Sequence, residues 1–354
     1  MTGANVSGVD FSSADISFTK SGGLVGVPAA LPEGWSLLRG YFFGSSANLT
    51  DANLSGLDFS KLDLTKVTLS GANLAGADLR GLQLAGVSMS GLNLSGANLA
   101  GANLAGANLS SANLSGADLS GVVLTGANVT NTDFSGAVLE GVVTGSLGGA
   151  PLVLPERWHL MRGYLVGPKA NLDGADLTNL DLSYWDFSGA NLSHSRLWST
   201  AFRNANFTGA TLAGANFERS FLGGANFTDA DLSSASLNMA YFENTNFTRA
   251  KLLSVSRVCQ DYWGCWTENY NRFGFASTIL TGARARNLNI YSAWTGNSVS
   301  MPAGWAFRHG IFFGPSADLS GLSLRQLDLT NLNLSNANLT GVDLSGSNLS
   351  GTDL

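Results

Sequence analysis

Few side chains in this sequence are equipped for chemistry, and their spacing limits what they can do. Cys259 and Cys265 stand six residues apart. They are either two unrelated thiols or a local disulfide closing a small loop, a bond that suits an oxidising exterior. A metal site needs more ligands, and the three histidines lie far away in sequence. Asp58, Asp78 and Asp118 fall in one twenty-residue column with Asn98. General acid–base work requires two carboxylates at a set separation in a cleft, which aspartates alternating with asparagine at an outward position do not supply. Phosphate-cradling and nucleophile-elbow motifs lack their supporting context. No catalytic residue, metal ligand or cofactor is assigned, and the expectation is a protein that is not an enzyme. The remaining candidates are aromatic. Tyr262, Trp263, Trp266 and Tyr270 crowd the irregular segment 253–272 beside the cysteines, a composition that suits a loop recognising a glycan or receptor.

The elements that must carry these residues follow from a period of five. A Leu or Phe recurs every fifth residue, usually after Ala-Asn or Ala-Asp and before Ser/Thr/Ala-Gly. The run from Leu49 to Leu139 holds nineteen such pentads, a second run extends from Leu172 to Leu252, and a third from Leu319 to Leu354. An α-helix would move each successive Leu by about 140° and spread them round its surface. A straight strand would send them to opposite faces, because five is odd. Within one pentad, however, Ala and Leu are two apart and share a face. The pattern is buried only if the chain bends once per pentad, at the Ser-Gly, where Gly, Asn, Asp and Ser ease the turn.

The number of bends per coil is read from the larger residues. Phe187, Phe207, Phe227 and Phe247 are twenty residues apart, as are Asn53, Asn73, Asn93 and Asn113. Four pentads per coil would stack the rings inside and the amides outside, with coils about 4.8 Å apart. Trp185 takes an inward position usually held by Ala, which predicts a local bulge. The A(D/N)LXX pattern, as in Ala97-Asn98-Leu99-Ala100-Gly101, resembles the pentapeptide-repeat family over roughly three-quarters of the chain. That resemblance implies an all-β, right-handed quadrilateral β-helix. It also raises DNA mimicry, as in gyrase-binding members of the family, as a lesser alternative. Those members carry a strongly acidic face and a dimerising C-terminal helix, whereas the outer columns of this chain are mostly Asn, Ser and Thr.

A longer repeat punctuates the pentads. Pro32, Pro155 and Pro302 each stand seventeen residues before a first Leu centre. Each is followed by a Trp and two short apolar runs: Trp35 and Tyr41, Trp158 and Tyr164, Trp305 and Phe312. The spacing predicts a hairpin-like element at the start of a module, its aromatics covering the first coil. The expected organisation is a partial coil over 1–20, a module over 31–144, a second over 154–300 carrying the insertion 253–272, and a truncated third over 301–354.

With 354 residues, 44 glycines, 12% charged residues and a net charge of −6, the chain has neither a basic patch for nucleic acid nor an apolar run long enough to span a bilayer. No secretory signal is recognisable, yet the pattern favours an extracellular surface or virion over the cytoplasm. The first coil is centred on Val6, Phe11 and Ile16, and the pentads run in register through Leu344, Leu349 and Leu354. With Met1 removed, Leu354 followed by Thr2 of a second copy continues the pentad. Uncovered coils are edges that invite pairing, and a heterologous contact of that kind builds filaments unless it closes into a ring. The expectation is therefore a self-assembling structural protein that stacks head to tail, with glycan or receptor binding through 253–272 as the alternative.

Overall fold

The computed structural model describes residues 1–59, 62, 64, 66–237, 240–241, 244–253, 256–257, 284–286, 289–290, 301–309 and 311–354. They form two compact units, Met1–Val166 and Gly167–Leu354. The described residues contain no helix.

Most described pentads contribute one parallel bridge, made by the residue before the centre, to the pentad twenty residues on. Asp58 pairs with Asp78, Asp78 with Asn98, Asn98 with Asp118 and Asp118 with Val138. Neighbouring columns start five residues away, as in Asn53–Asn73–Asn93–Asn113, so four columns serve each coil. Two hydrogen bonds fix most bridges: Leu79 N–H donates to Asn98 O at 2.7 Å, and Asn98 N–H to Ala77 O at 2.9 Å. The bend between pentads is a four-residue turn. Ala77 N–H donates to Leu74 O at 3.0 Å, and Gly76 takes the left-handed conformation (φ 65°) that such a turn demands at its third position. Most centres and the Ala two residues earlier are buried, as at Ala97, Leu99, Ala102 and Leu104, with the last coil more open.

In the second unit the phenylalanines twenty apart stack as the period predicts. Phe187 and Phe207 lie 4.9 Å apart, Phe207 and Phe227 4.7 Å, and Phe227 and Phe247 5.2 Å, all nearly coplanar. Inward hydroxyls that replace Ala are satisfied across coils: Thr200 donates to Leu177 O and Ser220 to Leu197 O. The bulge expected at Trp185 does not form. Bridges Asp181–Ala201 and Asp186–Asn206 keep the twenty-residue register on either side of it. The indole stays half-buried and stacks at 6.5 Å on Phe187, so its bulk is accommodated without an extra residue.

The proline-headed motifs contain antiparallel hairpins. Strand β1 (Ser36–Leu38) pairs with β2 (Tyr41–Phe43), and β3 (His159–Met161) with β4 (Tyr164–Val166). Their loops are Arg39-Gly40 (φ 47° and 76°) and Arg162-Gly163 (φ 49° and 76°). Two positive φ values in succession match the twist of a two-residue hairpin turn. Further along, β5 (Lys251–Leu253) pairs in parallel with β7 (Arg284–Arg286), and β6 (Ser256–Arg257) with β8 (Asn289–Ile290). Lys251 bridges Arg284, thirty-three residues on, in place of the usual twenty. The third hairpin joins β9 (Ala306–Arg308) to β10 (Ile311–Phe313).

The first hairpin interrupts a coil without breaking the stack. Lys20 bridges Asn48, twenty-eight residues on, eight more than the usual twenty. The eight residues Ser36–Phe43 account for the difference. Phe42 is buried with Val6, Ile16 and Leu24, while Phe43 joins the core that runs from Ala47 to Leu147. The hairpin thus belongs to the coils on both sides.

Candidate interaction surface

The outward side chains are mostly engaged with their own backbone. Asn93 Oδ1 accepts the N–H of Ser95 at 3.2 Å, and Asn98, Asn103 and Asn108 do the same two residues on. This turn capping explains why the position before each centre is Asn or Asp. The aspartates do likewise: hydrogen bonds from Thr330, backbone first, hold the Asp328 carboxyl below the usual carboxylate range, and Ser12 does the same for Asp10. A carboxylate fixed to a turn amide is a poor general acid or base. Among the described residues, no group of three His, Cys, Asp or Glu could hold a metal ion. No described helix is long and apolar enough to cross a membrane.

Neighbouring coils are linked by ladders. Asn93 donates to Asn73 at 2.9 Å, and Asn73 to Asn53 at 3.4 Å. Arg249 makes a two-pronged contact with Asp229, and Lys251 reaches Asp231. In the second unit the donors line up in one direction. Thr248 donates to Asn246, Asn246 to Thr228, Thr228 to Asn226, Asn226 to Thr208, Thr208 to Asn206, and Asn206 to Asp186, at 2.6–3.1 Å. The side chains of this row bond to one another along the stack.

The aromatic motif residues serve the hairpin joints. A methyl group on Gly44 would lie 2.3 Å from the Trp35 ring, and one on Gly314 would lie 2.2 Å from Trp305. Each indole therefore lies against glycine backbone, and Trp158 packs on the core of the first unit. Tyr41 covers Gly22, Tyr164 covers Gly145, and the Tyr41 hydroxyl accepts the N–H of Asn53 at 3.1 Å. Phe312 is buried and meets Phe307 edge-on at 5.5 Å. Val6 and Ile16 are buried in the first coil, and Phe11 meets Phe42 edge-on at 5.4 Å. Leu344 and Leu349 are half-buried and Leu354 is exposed. Cys259, Cys265, Tyr262, Trp263, Trp266 and Tyr270 lie outside the described residues.

One outward column departs from the polar rule. Asp181 is followed at twenty-residue steps by Ala201, Phe221 and Tyr241. The Phe221 and Tyr241 rings are partly exposed and stack at 5.1 Å and 8°. The Arg203 guanidinium lies 4.9 Å from the Phe221 centroid. Sequence reading passed over these residues because phenylalanine is expected at pentad centres. The available signal was an aromatic in the Asn/Asp slot, before Leu222 and again before Phe242.

Stacked twenty-residue coils with a self-bonded polar exterior define a β-solenoid repeat protein. The family model for pentapeptide repeats matches in eight copies, over residues 45–81, 77–115, 102–141, 170–209, 186–224, 225–255 and 317–354. These cover more than half of the sequence, and the chain belongs to that family. Among solved structures it is similar to HetL, a pentapeptide repeat protein involved in heterocyst differentiation regulation in the cyanobacterium Nostoc sp. strain PCC 7120. The identity is 23%, over 73% of this chain and 91% of that one, with a TM-score of 0.24. A pentapeptide repeat protein of the Arabidopsis thaliana thylakoid lumen shares 28% identity over 34% of this chain and 84% of its own, with a TM-score of 0.28. QnrB1, a plasmid-mediated fluoroquinolone resistance protein, shares 15% over 72% and 82%, with a TM-score of 0.20. A search of curated proteins finds no match.

Proposed function

We propose that this pentapeptide repeat protein is a non-enzymatic structural protein, a rigid solenoid shaft whose copies assemble head to tail into a filament, fibre or surface or virion appendage. The proposed form of each unit is the right-handed, four-sided β-helix of the family. The observation that carries the reading is the joint inside the first unit. There the β1–β2 hairpin seats Phe42 on one set of coils and Phe43 on the next, and the bridge from Lys20 to Asn48 carries the stack across it. Coils of this sequence therefore have a built way of meeting other coils. Between copies, the coil of Val6, Phe11 and Ile16 is proposed to meet the coil of Leu344, Leu349 and Leu354. The outer face favours a spacer, since its Asn, Asp, Ser and Thr side chains largely bond one another or their own turns. Negative-stain microscopy of the purified protein should show filaments, and deletion from Ala317 onward should remove them. Polymers undiminished by that deletion would overturn the end-to-end reading.

A second reading, glycan or receptor binding through residues 253–272, is favoured by the Tyr262, Trp263, Trp266 and Tyr270 cluster. Glycan-array binding lost in Trp263→Ala and Trp266→Ala would support it. DNA mimicry is the weaker reading, because outward carboxylates cap turns or face arginine and lysine, as at Asp328 and Asp229.

A further inference from the structure

The face of the second unit that carries Phe221 breaks three habits of the rest of the surface. First, Phe221 and Tyr241 occupy slots where Asn or Asp caps the following turn, and a hydrocarbon ring cannot accept that N–H. Second, Tyr184 stands at a turn corner in the left-handed region (φ 68°). That conformation is sterically unfavourable for an L side chain. Its ring is 77% exposed and recovers little of this by burial. Third, Arg203 lies over the Phe221 ring and makes no hydrogen bond or ion pair among the described residues. Most other described arginines and lysines of this unit reach a carboxylate or a carbonyl, as Arg249, Lys251 and Arg308 do.

These residues are adjacent. Tyr184 N–H donates to Arg203 O at 2.8 Å, and Phe202 N–H donates to Phe221 O at 2.8 Å. Phe221 bridges Tyr241 on the next coil. From Tyr184 to Tyr241 the group spans three coil steps, about 14 Å at the usual strand spacing. Gly223, next in the column of Arg203, has no side chain to fill the space beside the guanidinium.

We infer that Tyr184, Arg203, Phe221 and Tyr241 form a docking patch for a protein segment that presents a carboxylate between apolar side chains. This rests on the reading of the protein as one that acts by surface contact. The guanidinium rests over Phe221 at 4.9 Å from its centroid, and Phe221 is backed by Tyr241, a cation–π contact that restricts the arginine while leaving its donors available to a partner. A planar donor pair of that kind matches a carboxylate. Asp181 accepts the N–H of Ser183 at 3.1 Å and feels the Arg203 charge without an ion-pair contact among the described residues, so it adds negative field beside the guanidinium. That field suits a monoanion better than a phosphate dianion. The two faces of Phe221 are covered, by Arg203 and by Tyr241. The exposed parts, 37% of Phe221 and 41% of Tyr241, offer ring edges to apolar side chains more than open faces to a sugar. Tyrosine and arginine beside phenylalanine also match the composition of protein–protein hot spots.

The test titrates the full chain with N-acetyl-Leu-Glu-Leu amide and with its Gln counterpart, following the Arg203 side-chain resonance by NMR. The Glu peptide should saturate, and the Gln peptide should bind about tenfold more weakly. Arg203→Lys, which keeps the charge and loses the fork, should weaken the Glu peptide by about tenfold. Phe221→Leu should weaken it as well, with thermal unfolding confirming that both variants fold. Equal binding of the two peptides, or binding that survives Arg203→Lys, overturns the inference. So does a preference for an acidic oligosaccharide such as oligogalacturonate, or loss of self-association in Arg203→Lys without peptide binding, which would assign the patch to a second copy. Filaments without peptide binding overturn this inference alone. Peptide binding without filaments leaves it standing and overturns the end-to-end reading.

Discussion

The backbone N–H of Leu165 donates to the buried hydroxyl of Thr144 at 3.0 Å, and the same bond joins Phe42 to Ser21 at 2.9 Å. Both pairs are twenty-one residues apart, and both tie a hairpin to the coil beneath it. Beside them, Leu147 N–H donates to Gly163 O and Leu24 N–H to Gly40 O. The joint is thus one device used twice within the first unit.

Thr144→Val keeps the volume and removes the acceptor, leaving the Leu165 N–H buried and unsatisfied. The expected loss is about 1–3 kcal/mol, read as a lower urea midpoint. A midpoint equal to the parent's would mean that water replaces the hydroxyl.

Gly163→Ala should destabilise more than Gly101→Ala. Both glycines have positive φ, 76° and 69°, so each pays the left-handed penalty of roughly 1–2 kcal/mol. At Gly101 the new methyl meets open space, whereas at Gly163 it falls 2.8 Å from the backbone nitrogen of Leu147. Paired thermal melts decide it, and equal shifts would refute the close approach.

Leu104 is fully buried in an unbroken column. Leu104→Asp places a carboxylate in that core and should unfold several coils, seen as lost hydrogen-exchange protection centred on residues 84–124. Ser110→Ala removes only an exposed contact with Ser90 and should change stability by less than about 0.5 kcal/mol.

Phe207 is stacked on both sides. Phe207→Ala should cost about 3–5 kcal/mol, measured by chemical denaturation. A smaller loss would show that the neighbouring rings close the gap.

The carboxyls of Asp10, Asp181 and Asp328 are held low by their turn hydrogen bonds. A depressed folded-state pKa gives stability that is complete above the unfolded carboxylate value and fades as pH falls through the lower, folded value. Urea midpoints should therefore be flat from neutral pH down to the ordinary carboxylate range and fall below it. Asp328→Asn keeps the acceptor for Thr330 and removes the titration, so its acid dependence should be shallower.

The residues that set the coil were legible because burial and period agree. The ladder from Phe187 to Phe247 and the bridge column through Asn53 both follow from a step of twenty. Residues whose role depends on direction within a short apolar run were not legible. Phe42 and Phe43 are adjacent and chemically identical, yet they serve different coils. Nor does periodicity say whether Trp185 displaces the backbone or lies within the existing spacing. The Arg203–Phe221–Tyr241 patch was missed for a related reason. A repeat invites each departure to be read as drift, and only the coordinates place three such departures side by side.

The eight residues of β1 and β2 enter and leave in phase, which has a consequence for how such a chain can change length. Deleting Ser36–Phe43 would restore an ordinary twenty-residue turn of chain, and inserting the same eight elsewhere would leave the downstream repeats in step. Growth of this protein is therefore arithmetic in phase: a change of twenty residues, or of twenty plus eight, keeps the downstream pentads in step, but a unit that adds or removes the hairpin must also supply or replace the core contacts of Phe42 and Phe43.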